Sequence, residues 1–205
     1  MKKLAVDVLF VVLMIIALPA FAADGDDAMF GLSWGMTPAA INALGVLMSK
    51  VKDNRNLETY TTASLPKNLS DIEQYSLNFS DGKLVKIIAV SKNITGDITG
   101  SDSKNRFEVL KKSLEEKYGA ASDSYQSIGH AVYREYDEFY QCLAYKGCGL
   151  WYAGFKISTK IILLDMNGLS RGTGFIKLTI EASPQFSEAL EKMKSLENKS
   201  DANAL

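Results

Sequence analysis

The chain predicts an α+β fold: an antiparallel meander with helices packed on one face, ordered as two tandem helix-plus-meander units. Three observations carry this. Residues 75–80 alternate strictly, Asp81-Gly82 is a two-residue turn, and Leu84 to Val90 returns as a strand apolar on both faces apart from Lys86. Residues 105–118 repeat apolar positions at helical spacing and end at a glycine. The predicted elements run helix, strands, helix, strands, helix, which segregates the helices from the sheet instead of alternating them with parallel strands.

The first segment reads as a leader. Lys2 and Lys3 precede an apolar run from Leu4 to Leu18 broken only by Asp7, and Pro19-Ala20-Phe21-Ala22 supplies small residues at the positions a signal peptidase reads. The run is shorter than the roughly 20 residues of a bilayer span. Cleavage is therefore expected after Ala22, with residues 1–22 a signal peptide and no membrane span after processing. No cysteine lies near the cleavage site, so a lipoprotein anchor is not expected. Residues 23–197 then form one α+β domain, with possible sub-units at 29–95 and 103–197, and 198–205 form a charged, flexible tail.

Within the domain, Thr37 is suited to cap a helix that Pro38 opens, Ile41 and Leu44 share its inner face, and Gly45 stops it. A weaker strand is expected near Glu58–Ser64. Tyr75, Leu77 and Phe79 alternate with Ser76, Asn78 and Ser80. Asp81-Gly82 turns the chain, which places Phe79 opposite Leu84 and Tyr75 opposite Ile88. Residues 93–103 read as a loop. Asn105 with Glu108 resembles a capping box opening a helix whose inner stripe is Phe107, Leu110, Leu114 and Tyr118. Glu108–Lys112 and Lys112–Glu116 are its expected surface pairs.

A strand is expected at Ala131–Tyr136 and a short helix between Asp137 and Tyr145. Strands follow at Trp151–Ile157, Lys160–Met166 and Phe175–Glu181. Ser183-Pro184 opens a last helix with Phe186, Ala189, Leu190 and Met193 on one face, fading into the tail from Glu197.

Cys142 and Cys148 are the only cysteines. An even count in an exported chain argues for a disulfide, and their spacing fits neither a zinc pattern nor C-x-x-C. Basic and acidic residues nearly balance, at 23 against 24, which leaves no electrostatic footprint for nucleic acid.

The segment Phe30-Gly31-Leu32-Ser33-Trp34-Gly35-Met36-Thr37, running on to Gly45, resembles small exported bacterial envelope proteins such as the SmpA/OmlA outer-membrane assembly family. Their fold is related to that of the β-lactamase inhibitor proteins. The resemblance implies tandem helix-plus-meander units and a Gram-negative periplasmic protein that binds other proteins. The chain lacks that family's lipidated cysteine, so outer-membrane anchoring is not carried over.

Catalytic patterns are sparse. His130 is the only histidine and has no partners at motif spacing. Gly31-Leu32-Ser33-Trp34-Gly35 matches G-x-S-x-G, but a nucleophile elbow needs a large parallel sheet around it. Glu135, Asp137 and Glu138 form an acidic cluster that could serve a glycosidase and is more ordinary as a solvated helix start. Gly168–Gly174 lacks the P-loop lysine and reads as a turn presenting Arg171. The sequons at Asn68, Asn78, Asn93 and Asn198 read as chance.

No catalytic, cofactor-binding or metal residue is therefore assigned. The expected function is a non-enzymatic protein-binding module, periplasmic or secreted: an inhibitor, an immunity protein or an envelope-assembly accessory. The alternative is a carboxylate-dependent glycan or peptidoglycan hydrolase. The expected partner is another protein of the cell envelope, and Trp151, Tyr152 and Arg171 are the candidate contacts. Tyr and Trp with one polar end suit interfaces, and Trp151 and Tyr152, adjacent in a strand, must point to opposite faces.

Overall fold

In the computed structural model, residues 27–54, 57–130 and 132–204 are described. The leader expected at 1–22 lies outside them. The elements are β1 (Asp27–Met29), β2 (Leu32–Ser33), α1 (Pro38–Asn42), β3 (Ser49–Asn54), β4 (Leu57–Thr62), β5 (Ile72–Ser80), β6 (Lys83–Ser91), β7 (Ile94–Thr95), α2 (Ser101–Tyr118), β8 (Asp123–Ser127), α3 (Phe139–Ala144), β9 (Leu150–Ile157), β10 (Lys160–Ser170), β11 (Thr173–Ala182) and α4 (Gln185–Ala204). The protein is α+β.

One antiparallel sheet runs β3-β4-β5-β6-β11-β10-β9-β8, with β7 joined to β11. It is two four-stranded meanders, each preceded by a helix and joined through their last strands, β6 and β11, with Ile180 opposite Ile87. The strands therefore make one continuous sheet.

Alternation decides which side chains meet the helices. Tyr75, Leu77, Ile87, Leu178, Ile162 and Phe155 project to one face and form a single core with Ile41 of α1, Phe107, Leu110 and Leu114 of α2, and Phe139 and Tyr140 of α3. A smaller cluster of Val85, Ala182 and Phe186 seats the start of α4 on β6 and β11.

Local chemistry accounts for most boundaries. Thr37 Oγ1 accepts from the Ala40 N–H at 3.2 Å, capping α1, and Gly45 closes it with φ +83°. Asp81 and Gly82 have φ of +48° and +72°, the two positive values of a type I′ turn. Phe79 pairs with Leu84 as expected, but Tyr75 pairs with Ala89, one residue beyond Ile88. Val85 is an extra residue in β6, and the bulge shifts the pairs behind it as far as Gln74 with Val90, where a second irregularity in β5 sets Ile72 opposite Ser91.

Four further expectations are corrected. Helix α2 starts a turn earlier than Asn105, because Gly100 at φ +74° begins it and the Asp97 carboxylate accepts from the Ser103 N–H at 3.1 Å. Its surface pairs are Lys111 with Glu108 and Lys111 with Glu115, each at 3.8 Å, in place of pairs through Lys112. Residues 132–136 form no strand, since Tyr133 sits at φ +58°; the strand is β8, earlier in the chain. Residues 198–204, expected as a flexible tail, continue helix α4. The short helix expected after Asp137 is α3, though its cap position falls on Glu138.

Cys142 and Cys148 are bonded. The bridge closes the turn from α3 to β9, and Cys142 Sγ accepts from the Gly129 N–H at 3.1 Å, tying in the loop after β8. The closed loop is short, so Cys142→Ser is expected to lower unfolding free energy by only about 2 kcal/mol. Urea denaturation of the two proteins measures the difference.

Lys160, 1% exposed, donates to the Asp27 carbonyl, with its carboxylate at 3.5 Å; Lys117 reaches that carboxylate at 3.2 Å. Together they fasten β1 to the start of β10 and the end of α2. Burial would raise the Asp27 carboxyl, but the Met29 N–H and the two lysines hold it below its ordinary value. No helix among the described residues is long and apolar enough to cross a membrane.

Candidate protein-binding surface

Strand alternation that fills the core on one face leaves a second face of the sheet. It is mapped by the cross-strand pairs. One transverse row runs Gln74, Val90, Lys177, Asp165, Tyr152, Tyr125 from β5 to β8. The next runs Ser76, Ile88, Thr179, Leu163, Gly154, Asp123. Val90, Ile88, Leu163, Phe175 and Tyr152 are only half-buried and join neither core cluster. Ile161 and Tyr125 are each 41% exposed. The start of α4 sits at one end of this face, with the Phe186 ring 4.5 Å from Lys86 Nζ; the rest carries exposed apolar and aromatic side chains among polar ones, a form that interaction sites take.

Asp165 is the unusual residue on this face. It lies between Lys177 and Tyr152, with Lys177 Nζ at 3.3 Å and the Asn167 amide donating to it. Desolvation outweighs both partners and pushes its carboxyl above its ordinary value. Lys177 and Asn167 belong to the same surface. The protein therefore keeps a partly desolvated carboxylate beside a tyrosine on an otherwise apolar face.

Beyond the Asp165–Tyr152 pair the sheet divides. β10 runs on to Ser170, while Trp151 and Leu150 of β9 pair only with β8. Helix α3 comes against the vacated side of β10, and a cleft of about 350 Å³ remains, lined by Leu143, Leu150, Trp151, Leu163, Asp165 and Asn167 among others. Trp151 Nε1 is buried there without a hydrogen-bond acceptor among the described residues.

The three residues nominated from sequence occupy three different settings. Tyr152 lies on the bare face, its hydroxyl donating to Asp123 at 2.8 Å. Trp151 points the other way, into the core side, with its ring 5.4 Å from that of Phe139. Arg171 sits at the β10–β11 turn, its side chain 63% exposed and its guanidinium paired with Asp137. Tyr152 and Trp151 both line the cleft; Arg171 lines neither it nor the transverse rows.

The remaining candidates have local partners. His130 Nε2 lies 2.9 Å from the Tyr125 hydroxyl. In the acidic cluster, Asp137 holds Arg171, and Glu138 accepts from the Glu135 N–H at 3.0 Å. Ser33 lies in the two-residue strand β2, which no nucleophile elbow uses. Asn78 is buried, donating to Thr59 Oγ1 at 2.7 Å.

Sequence reasoning missed Asp165, Tyr125 and Ile161. Asp165 was hidden because a single acid in an apolar strand has no motif. Its signal was available as Leu163, Asp165 and Asn167, which alternation sets on the face opposite Ile162, Leu164 and Met166. No family model, curated protein or solved structure matches the chain.

Removing the Asp165 charge should stabilise the protein. A carboxylate whose folded pKa is raised opposes folding at neutral pH, and that penalty disappears as pH falls through the folded value. Asp165→Asn is expected to raise the thermal midpoint at pH 7, with the gain over wild type shrinking towards pH 4. Scanning calorimetry across this range checks both the sign and the trend.

Proposed function

We propose that the protein is a non-enzymatic binding module of the bacterial cell envelope, exported by a signal peptide cleaved after Ala22, and that it meets another protein through the bare sheet face of its second half. One observation carries the reading: a tyrosine-bearing face spanning β11, β10, β9 and β8, on which Leu163, Ile161 and Phe175 surround a carboxylate that burial disfavours. A carboxylate placed where burial disfavours its charge is a pointer to function. The disulfide supports the exported setting. The similarity of Phe30–Gly45 to small envelope proteins of the SmpA/OmlA kind supports the binding class. The outer face of α2 is the wrong place for a partner, since it carries solvated, self-paired charges.

In this reading Tyr152 supplies the central contact, Leu163, Ile161 and Phe175 the apolar surround, and Asp165 the polar specificity. Arg171, held by Asp137 at the turn, presents a charge at the rim. Trp151 shapes the cleft from its inner side.

The test is capture of envelope proteins on immobilised wild type, Tyr152→Ala and Lys112→Ala. Wild type and Lys112→Ala should retain one common partner, and Tyr152→Ala should bind it at least tenfold more weakly. A folded Tyr152→Ala variant that retains the partner undiminished places the interface elsewhere.

A further inference from the structure

The two meanders are built alike, and each has an inner and an outer edge. The inner edges, β6 and β11, satisfy each other. The outer edges are the first strands of the two meanders, β3 and β8. A free strand edge exposes a row of backbone donors and acceptors, and proteins that remain monomeric blunt such edges with lysines and bulges. β3 carries both devices: Lys50 and Lys52 flank the extra residue Val51, which interrupts its register with β4. β8, with the sequence Asp-Ser-Tyr-Gln-Ser, has no lysine and no proline, and its pairing with β9 is unbroken from Asp123 to Ser127. Among the described residues its backbone pairs with β9 alone, and its first four residues are exposed.

We propose that β8 is the contact between two copies of this chain, paired antiparallel about a two-fold axis through Tyr125. The strand complements itself in that register. Asp123 falls opposite Ser127 and Ser124 opposite Gln126, so its one charge meets no like charge. Tyr125 meets its own symmetry mate, and cross-strand aromatic pairs stabilise antiparallel edges. Because Tyr125 projects from the same face as Tyr152, Asp165 and Leu163, the two bare faces join into one surface across the axis. A two-fold contact of this kind is closed, which prevents growth into fibres. The guarded edge β3 remains outermost on both sides.

The inference stands apart from the identity of any envelope partner and is read on purified protein alone. Sedimentation velocity from 1 to about 200 μM should show a concentration-dependent dimer. Tyr125→Lys sets two like charges across the axis at an exposed position and should weaken the dimer at least tenfold. Tyr125→Cys should form an intermolecular disulfide under mild oxidation, because opposed residues in an antiparallel pair lie within bridging distance. Val51→Cys on the guarded edge is the control and should cross-link far more slowly. A wild-type protein that is monomeric throughout overturns the inference. So does a dimer that survives Tyr125→Lys, or cross-linking through Val51→Cys at the rate of Tyr125→Cys. A Tyr125→Cys protein that cross-links in envelope extract to a different protein, in preference to itself, also overturns it by assigning the edge to a heterologous strand.

Discussion

Tyr140→Ala is expected to lower the unfolding free energy by about 4 kcal/mol, the range for deleting a large buried aromatic. The ring is fully buried in α3, edge-on to Phe139 at 5.2 Å, and the glycines of β10 and β11 admit it. Its hydroxyl ends a buried network: it donates to Asp97 Oδ2 at 2.7 Å and lies 2.7 Å from Ser103 Oγ. Burial and the Asp97 charge push the phenol well above its ordinary value, so it stays neutral and donates. For Asp97, burial alone would raise the carboxyl, but the hydrogen bonds from Tyr140 and Ser103 prevail and hold it below 3.8. A depressed folded pKa contributes stability above the unfolded value and loses it as pH falls through the folded one. Tyr140→Phe separates the two roles. It keeps the ring, removes one donor to a buried carboxylate, and should cost about 1.5 kcal/mol at pH 7. The cost should shrink as pH falls through the lowered Asp97 value. Urea midpoints at pH 7 and in acid measure it.

The second large effect is expected at Gly168. This residue lies near the end of β10, where nothing in its backbone angles calls for glycine; the reason is contact. A Cβ there would sit 1.8 Å from the carbonyl oxygen of Tyr140, which is backbone and cannot turn aside. Directly opposite, a Cβ on Gly174 would lie 2.2 Å from the Tyr140 ring. The pair forms the flat seat on which α3 rests. Gly168→Val is expected to destabilise by about 3 kcal/mol through overpacking. Gly147 supplies the contrast, since it has φ +86° and open space around it. Gly147→Ala strains only its own backbone and should cost about 1 kcal/mol. Parallel denaturation curves rank the two. Equal losses would mean that α3 does not depend on the Gly168–Gly174 seat.

The contrast between these glycines shows what the sequence made legible. A glycine at a turn is readable from its neighbours, and Gly45, Gly82 and Gly119 all close the elements expected of them. Gly168 and Gly174 looked like part of a turn because their purpose lies in α3, far away in sequence. The same distinction separates the strands. β5 and β11 are legible because burial on one face enforces alternation, and β6 because its run is apolar on both faces. Within the two meanders, the two missed or misplaced strands, β3 and β8, are the sheet edges. Ser49–Asn54 and Asp123–Ser127 pack little against the core, so nothing selects apolar residues at every second position. Aromatic residues drew the expected strand to Ala131–Tyr136, yet Tyr133 lies in a left-handed turn and Tyr136 is 79% exposed. The start of α2 was displaced for a related reason: its anchor is Asp97, which completes a buried network with α3 instead of a local capping box.

The bare face was half legible. Adjacent Trp151 and Tyr152 had to face opposite ways, and Tyr152 does lie on the bare face. Asp165 needed the sheet order, because its neighbours Lys177 and Tyr152 come from strands on either side. Arg171 was nominated as a turn residue and is one, but its ion pair with Asp137 depends on α3 being brought to the same end of the sheet.

The central claim is that partners meet the bare face of β8–β11 and not the helices. A photo-crosslinking side chain placed at Tyr152, and separately at Lys112 on the solvated face of α2, tests it in living cells. A discrete adduct with another protein from position 152, with none from position 112, is the predicted result. An adduct from position 112 alone would contradict it.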